Sequence, residues 1–343
     1  MNDIKITPLL NTLKLQKIDD AEYFSRKYSN YISNSRLGLI NPEQDGSFER
    51  FIEGFKPMYS AAFDLGSGTH MLVLQNHLFE VCHDVDKPTA KMGALADRLY
   101  SIYKEKEEVS DEEIIKEATI IDYYGGNLSE KQLANVREKC EPYWSSRKQF
   151  EESYAGEKEL LFFDPKSRET VLNCVDALSK NSRVQKLLHP TGLIEDPISD
   201  TEQAILLDIK VECEGYEPFI LKLKSKVDHF SIDKENNTVT CNDVKTIGKI
   251  VSEAMNNIQK FRYNREIAMY SWLLKLCAEK YYGLQNPTVK GNYLFVSTIP
   301  GHYTKVIPMT RDMYVEGWNE FKNLVKLVAQ NVAEQHHEFG VWD

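Results

Sequence analysis

The chain has 343 residues, with 42 Lys+Arg against 52 Asp+Glu, a formal net charge of −10 and 42% hydrophobic residues, enough to bury one large core or two modest ones. No apolar run approaches the ~20 residues of a membrane-spanning helix, and Met1-Asn2-Asp3-Ile4-Lys5 lacks the apolar stretch of a secretory signal, so the expected setting is soluble and cytoplasmic, with no membrane partner. Bulk acidity argues against indiscriminate nucleic-acid binding. The six cysteines (Cys82, Cys140, Cys174, Cys213, Cys241, Cys277), with no CxxC pair among them, fit neither a disulfide framework nor a zinc or iron–sulfur ligand set.

No internal repeat or low-complexity linker breaks the chain, which reads as one domain over 1–343. Its first part, 1–86, carries Phe24, Tyr28 and Tyr31 at i, i+4, i+7, a predicted helical aromatic stripe, and Ser33 as the cap of a following helix. Asp64-Leu65-Gly66-Ser67-Gly68 predicts a glycine-containing turn that runs into an apolar helix, with His70 near that helix's start. His70 is either a capping or core histidine or a metal ligand. From 87 to 200 the chain is charged and helix-favouring, interrupted at Gly125-Gly126, and reads as a solvated helical elaboration.

The pattern changes at Glu202. Ile205, Leu207, Ile209 and Val211 alternate with Leu206, Asp208, Lys210 and Glu212, the period of a half-buried strand. Phe219, Leu221, Leu223 and Val227 alternate with Lys222, Lys224, Lys226 and Asp228, and a turn at 233–237 leads to a third strand over 238–246. A long helical pattern from Ile247 to Tyr282 uses Met255, Ile258, Ile267, Tyr270, Leu273, Leu274 and Leu276, and a further strand covers 292–297. An amphipathic helix over 314–334 completes the part 301–343, with His336-His337 in a stretch expected to fray.

The chemistry concentrates in 201–300. Residues two apart on a strand share a face, so Asp243 and Lys245 point the same way, and a hairpin register exists that sets Asp228 beside Asp243. Paired carboxylates repel unless a cation lies between them, and Mg²⁺, with Mn²⁺ able to substitute, is the ordinary solution. Lys245 could then orient a water and stabilise charge on a phosphate oxygen. Asp-x-Lys alone is a weak signal, equally the mark of a charged strand face. The order is more specific: Glu202 before a strand, Asp228 on the next, Asp243-Val244-Lys245 on the one after, then a long helix.

In that order the sequence resembles the PD-(D/E)XK nuclease superfamily, and within it the RecE-like, phage-type exodeoxyribonuclease VIII branch. Ser33-Asn34-Ser35-Arg36-Leu37 is similar to the branch's Ser-x-Ser-x-Leu, and Gly68-Thr69-His70-Met71-Leu72-Val73-Leu74 belongs to an element similar to its Gly-Thr-x-x-His-x-Leu-x-Leu, with Ser67 in place of threonine. Tyr263-Asn264-Arg265-Glu266 stands where relatives carry Tyr-x-x-Gln, so Glu266 replaces the glutamine. The segment 104–159 has no counterpart. The resemblance implies an α/β, restriction-endonuclease-like mixed sheet flanked by helices. It implies a Mg²⁺-dependent exonuclease on duplex DNA ends, with Asp228, Asp243, Glu202 and His70 as the metal set, Lys245 as the catalytic lysine, and Tyr263 and Glu266 as accessory residues. It further implies phage-type recombination in a bacterial host's cytoplasm, a single-strand annealing partner and a ring-like homo-oligomer.

Between Phe219 and Arg265 nine basic residues face five acidic ones, 9 − 5 = +4, leaving −14 for the remainder. Lys222, Lys224, Lys226, Lys249, Arg262 and Arg265 are therefore the candidate DNA contacts; the three strand lysines could equally be the solvent side of an edge strand. Two other functions stay open: a non-catalytic DNA-binding or assembly protein on the same fold, and a structure-selective endonuclease.

Overall fold

The computed structural model describes residues 4–54, 60–191 and 198–335; His336-His337 lie outside the described residues. Where the sequence reads as one domain, the chain divides into two compact units. Met1–Phe55, Lys180–Val296 and Thr304–Asp343 form one, and Lys56–Ser179 with Ser297–Tyr303 form the other. None of the described helices is long and apolar enough to cross a membrane.

The first unit is α/β, a seven-stranded sheet flanked by helices, as expected. Its strands are β1 (Ile4–Pro8), β2 (Lys14–Lys17), β3 (Ile198–Cys213), β4 (Phe219–Asp233), β5 (Thr238–Ile247), β6 (Thr288–Ser297) and β7 (Thr304–Pro308). They run in the order β1-β3-β4-β5-β6-β7, with β2 also on β3, and β3-β4-β5 is the antiparallel meander read from the sequence. Period-two alternation drives it: Leu207 opposes Leu223 and Ile209 opposes Leu221 in register, and all four are fully or almost fully buried. Each such side chain contributes about 1.5–3 kcal/mol of apolar burial. The same core takes in Ile267, Leu273 and Leu274 from the helix Tyr263–Tyr282 and Phe321, Val325 and Val328 from the helix Arg311–Gln335. These two helices meet at Gly317, where a β-carbon would lie 2.1 Å from the Asn264 carbonyl oxygen.

Several expectations are corrected here. The aromatic stripe is not one helix: a four-residue helix ends at Tyr23, Ser25 is extended, and a 3-10 turn follows over Arg26–Tyr28. Tyr23 and Tyr28 are buried while Phe24 is 74% exposed, because the break at Ser25 destroys the i, i+4 relation. The segment 247–282 is likewise divided, into a 3-10 turn, the helix Ala254–Lys260 and the helix Tyr263–Tyr282, with Arg262 in the left-handed region at φ 56°. Met255 lies on the short middle piece and is exposed rather than core. Strands β1, β2 and β7 are too short to have shown a period. Ser33 does cap its helix, accepting from the Arg36 N–H at 3.2 Å.

The second unit is mainly helical, with a core built on Leu95, Leu99, Ile114, Val136 and Trp144. Ser110 and Ser129 open two of its helices with reciprocal capping boxes, and Gly125 and Gly126 sit in a tight turn at φ 63° and 76°. The glycine turn expected at 64–68 is instead helical, since one helix spans Ala61–Leu74. Gly68 lies inside it because the Phe163 ring comes 2.5 Å from where a β-carbon would be. His70 is therefore deep in that helix, not near its start.

Candidate active site

Glu202 and Asp228 occupy opposed positions on β3 and β4. Thr201 pairs with His229 and Gln203 with Val227, so the register places Glu202 and Asp228 between those two pairs, and opposed residues of antiparallel strands share a face. Glu202 is thus within β3, not before it. Its backbone is left-handed at φ 53°, a conformation that costs a non-glycine residue on the order of 1 kcal/mol or more. Asp200 holds the bend: its carboxylate accepts from the Thr201 N–H at 2.8 Å and from the Gln203 amide at 2.9 Å. Carboxylate oxygens of Glu202 and Asp228 come within 4.8 Å of each other.

Asp243 arrives from β5. His229 pairs with Asn242, and one step further in that register Asp228 meets Asp243. There Asp228 Oδ2 accepts from the Val244 backbone N–H at 2.8 Å, so a carboxylate takes the place of a ladder carbonyl. Asp243 is 2% exposed. Lys245, on the same face as the strand period requires, donates to Asp243 Oδ1 at 2.9 Å and lies 3.2 Å from Glu266 Oε2. The Tyr263 ring sits 4.8 Å from the Lys245 ammonium, and the Tyr270 hydroxyl donates to Glu266 Oε1 at 3.2 Å. Glu266 and Tyr263 therefore both touch the lysine, one by charge and one by its ring face.

Burial shapes the titration of these groups. Desolvation pushes the Asp228 carboxyl up; Lys245 and the Val244 N–H pull it down, while Glu202 and Glu266 push it further up. Desolvation likewise drives Asp243 well above the usual carboxylate range against the pull of Lys245, with Glu266 and Asp228 adding to the rise. Burial alone would lower Lys245, but Asp243, Glu266 and Asp228 together outweigh it and hold the amine as an ammonium.

The basic residues differ in their surroundings. Lys226 belongs to the site: its ammonium lies 2.5 Å from Asp20 and 3.2 Å from Glu202. Lys224 shares that face but is buried, donating to the Tyr23 carbonyl at 2.9 Å with the Tyr23 ring 4.6 Å away. Burial lowers its pKa to about 8. Beside these lysines β4 is ladder-paired only to β3, since its pairing with β5 runs from His229 to Asp233, and its other side meets Ile32, bridged to Leu223 between Lys222 and Lys224. Lys222 stays partly exposed, over the Tyr31 ring. Arg265, a candidate DNA contact, is 3% exposed and bonded to Asn34 Oδ1 at 2.8 Å and Glu320 at 2.9 Å, so it is an internal strut. Arg262 pairs with Glu43 at 2.7 Å and Lys249 with Glu253 at 2.7 Å. The +4 excess counted along the chain is thus largely answered by acids from other segments.

Asp20 was not foreseen as a site residue, since 206 positions separate it from Lys226 and no local spacing signals the pair. His70 lies on the helix Ala61–Leu74 of the other unit. The remaining donor set suits a hard cation. Asp20, Glu202, Asp228, Asp243 and Glu266 bring five acidic groups against the two cations Lys226 and Lys245, a formal surplus of 5 − 2 = 3, which the raised pKa values of Asp228 and Asp243 reduce. Among the described residues the buried Asp243 Oδ2 has no hydrogen-bond partner, a costly state for a carboxylate oxygen that a cation would relieve. All six cysteines are free and buried, Cys241 among them, so thiolates offer no competing soft-metal site.

No known family's sequence profile matches the chain, and no curated protein matches it in sequence. Among solved structures it is similar to a candidate exonuclease from Eubacterium rectale, at 11% identity and a TM-score of 0.44 over 94% of this chain and 89% of that one.

Proposed function

We propose that the protein is a divalent-metal-dependent deoxyribonuclease of the PD-(D/E)XK type. The observation that carries this reading is the buried Asp243 Oδ2, without a hydrogen-bond partner among the described residues, within a cluster whose carboxylates outnumber its cations. Asp228, Asp243 and Glu202 would hold Mg²⁺, with Mn²⁺ able to replace it. The bound ion would make its water a better nucleophile and neutralise charge on the phosphate. Lys245, held as an ammonium by Asp243 and Glu266, is placed to orient that water and to stabilise the phosphate oxygen as charge builds on it. Glu266 and Tyr263 fix the lysine, and Lys226 balances Glu202.

Action from duplex ends, phage-type recombination, a ring-like assembly and an annealing partner rest on the resemblance to the RecE-like branch. Lys222 is the candidate phosphate contact best exposed on the strand face. The test is digestion of linear duplex, closed circular duplex and single-stranded DNA in Mg²⁺ or Mn²⁺, with EDTA and Asp243→Asn as controls. Metal-dependent loss of linear duplex alone, absent in the variant, is the expected result. Cleavage of the closed circle would make the protein an endonuclease, and no cleavage of any substrate would leave a binding or assembly protein.

A further inference from the structure

A cavity lies in the unit that holds the carboxylate cluster, on a different face of the helix Tyr263–Tyr282. Glu266 and Tyr270 point to the carboxylate cluster, whereas Ser271 and Lys275, one helical turn apart, are rotated about 140° from them. The cavity has a volume of about 400 Å³ and is lined by Ser271, Trp272 and Lys275, by Pro287, Val289 and Met309, and by Thr310, Arg311 and Tyr314 at the start of the helix Arg311–Gln335. That volume falls in the range of small-molecule pockets, roughly 300–1,000 Å³.

Its chemistry is unlike that of the rest of this acidic chain. No carboxylate lines it. Lys275 has a neutral partner, Asn286 Oδ1 at 2.5 Å, and among the described residues Arg311 has no ion pair. Elsewhere in the unit Lys226, Lys245, Arg262 and Arg265 are all matched by acids. The cavity also opens at the N-terminus of a 25-residue helix, where the aligned peptide dipoles favour an anion. Thr310 already caps that helix, accepting from the Met313 N–H at 3.2 Å. An independent observation points to a ligand: Ser271, one of the lining residues, is 1% exposed, and among the described residues its buried hydroxyl has no hydrogen-bond partner. Trp272 and Tyr314 add aromatic surface to the lining, together with Pro287, Val289 and Met309.

We propose that this cavity binds a phosphorylated nucleoside, with its phosphate between Lys275 and Arg311 at the helix N-terminus, its base against Trp272 and Tyr314, and the Ser271 hydroxyl bonded to it. Charge-assisted contacts from two cations select the anion, and an aromatic face accepts any base with little preference among them. The site needs no metal and does not depend on the nuclease reading. The nucleotide could be free or part of a DNA strand.

The experiment is calorimetric titration of the full-length Asp243→Asn protein in EDTA with 5′-dAMP, deoxyadenosine and inorganic phosphate, so that neither cleavage nor the carboxylate site contributes. Saturable binding of 5′-dAMP, about tenfold or more tighter than either half alone, is expected. Lys275→Gln with Arg311→Gln should weaken it about tenfold or more. Ser271→Ala should weaken it by a smaller factor while leaving the thermal midpoint unchanged or higher, because the lost hydroxyl has no partner in the free protein. A 5′-phosphorylated single-stranded oligonucleotide that displaces 5′-dAMP identifies the strand as the source; displacement by mononucleotides only identifies the free nucleotide. No saturable binding of 5′-dAMP, or binding unchanged in the Lys275→Gln, Arg311→Gln protein, overturns the proposal.

Discussion

Glu202 faces Asp228 across two antiparallel strands from a left-handed backbone conformation, φ 53°, that its neighbour Asp200 holds in place with two hydrogen bonds. The bend adds no residue to the strand, since the pairing register is the same on both sides of it. Local strain of this kind persists where the surrounding structure over-determines it, and it collects at functional sites. Here it accompanies the approach of two acids that would otherwise repel.

Glu202→Gly tests that relationship. Glycine adopts positive φ without strain, and Lys226 keeps Asp20 as a partner. The thermal midpoint should hold or rise, while metal-dependent cleavage or Mn²⁺ affinity falls by about 10- to 100-fold. A loss of stability with unchanged metal response would remove Glu202 from the site.

Asp243→Asn deletes one of the crowded buried charges but keeps the shape of the side chain. Without metal, the variant should be about as stable as the parent or slightly more so, because Lys245 keeps Glu266 as a partner while the repulsion of Asp243 with Asp228 and Glu266 is removed. Mn²⁺ should raise the thermal midpoint of the parent by mass action and leave that of the variant unchanged. Differential scanning fluorimetry with and without Mn²⁺ measures both.

Lys245→Met removes the ammonium between Asp243 and Glu266. Cleavage should fall by about 10²- to 10³-fold. Stability at neutral pH should drop by about 3 kcal/mol, since the carboxylates lose their internal cation. The folded-state pKa values of Asp228 and Asp243 already lie above their unfolded values, so the unfavourable charge is present at high pH and is relieved as protons bind on acidification. The deficit of the variant should therefore shrink as pH falls, which urea unfolding at several pH values would show.

Lys224 offers a second pH dependence with the opposite chemistry. Burial lowers its pKa to about 8 from an ordinary 10.5, so the folded state resists the ammonium. The cost is fully present below pH 8 and disappears as pH rises through 10.5. Lys224→Met should therefore stabilise the protein at pH 7 by about 1–3 kcal/mol, partly offset by loss of the Tyr23 carbonyl bond, and the advantage should fade toward pH 10. If Lys224→Met instead weakens DNA binding and its salt dependence as strongly as Lys222→Ala does, the amine leaves its buried position to meet the strand.

The meander, the shared face of Asp243 and Lys245, and the adjacency of Asp228 and Asp243 were legible in the sequence. A strand's period is two and a short turn permits few registers, so these relations are local. The hydrophobic repeats of the helices Tyr263–Tyr282 and Arg311–Gln335 were legible for the same reason. Tertiary packing alone decided the rest. It turned the backbone at Glu202, brought Asp20 across 206 positions to Lys226, and buried Arg265 between Asn34 and Glu320. It also offset a basic segment with acids from Glu43 to Glu320. Charge counted along a chain records which groups exist; their neighbours depend on which elements pack together, and Coulomb energy depends on those distances and on burial.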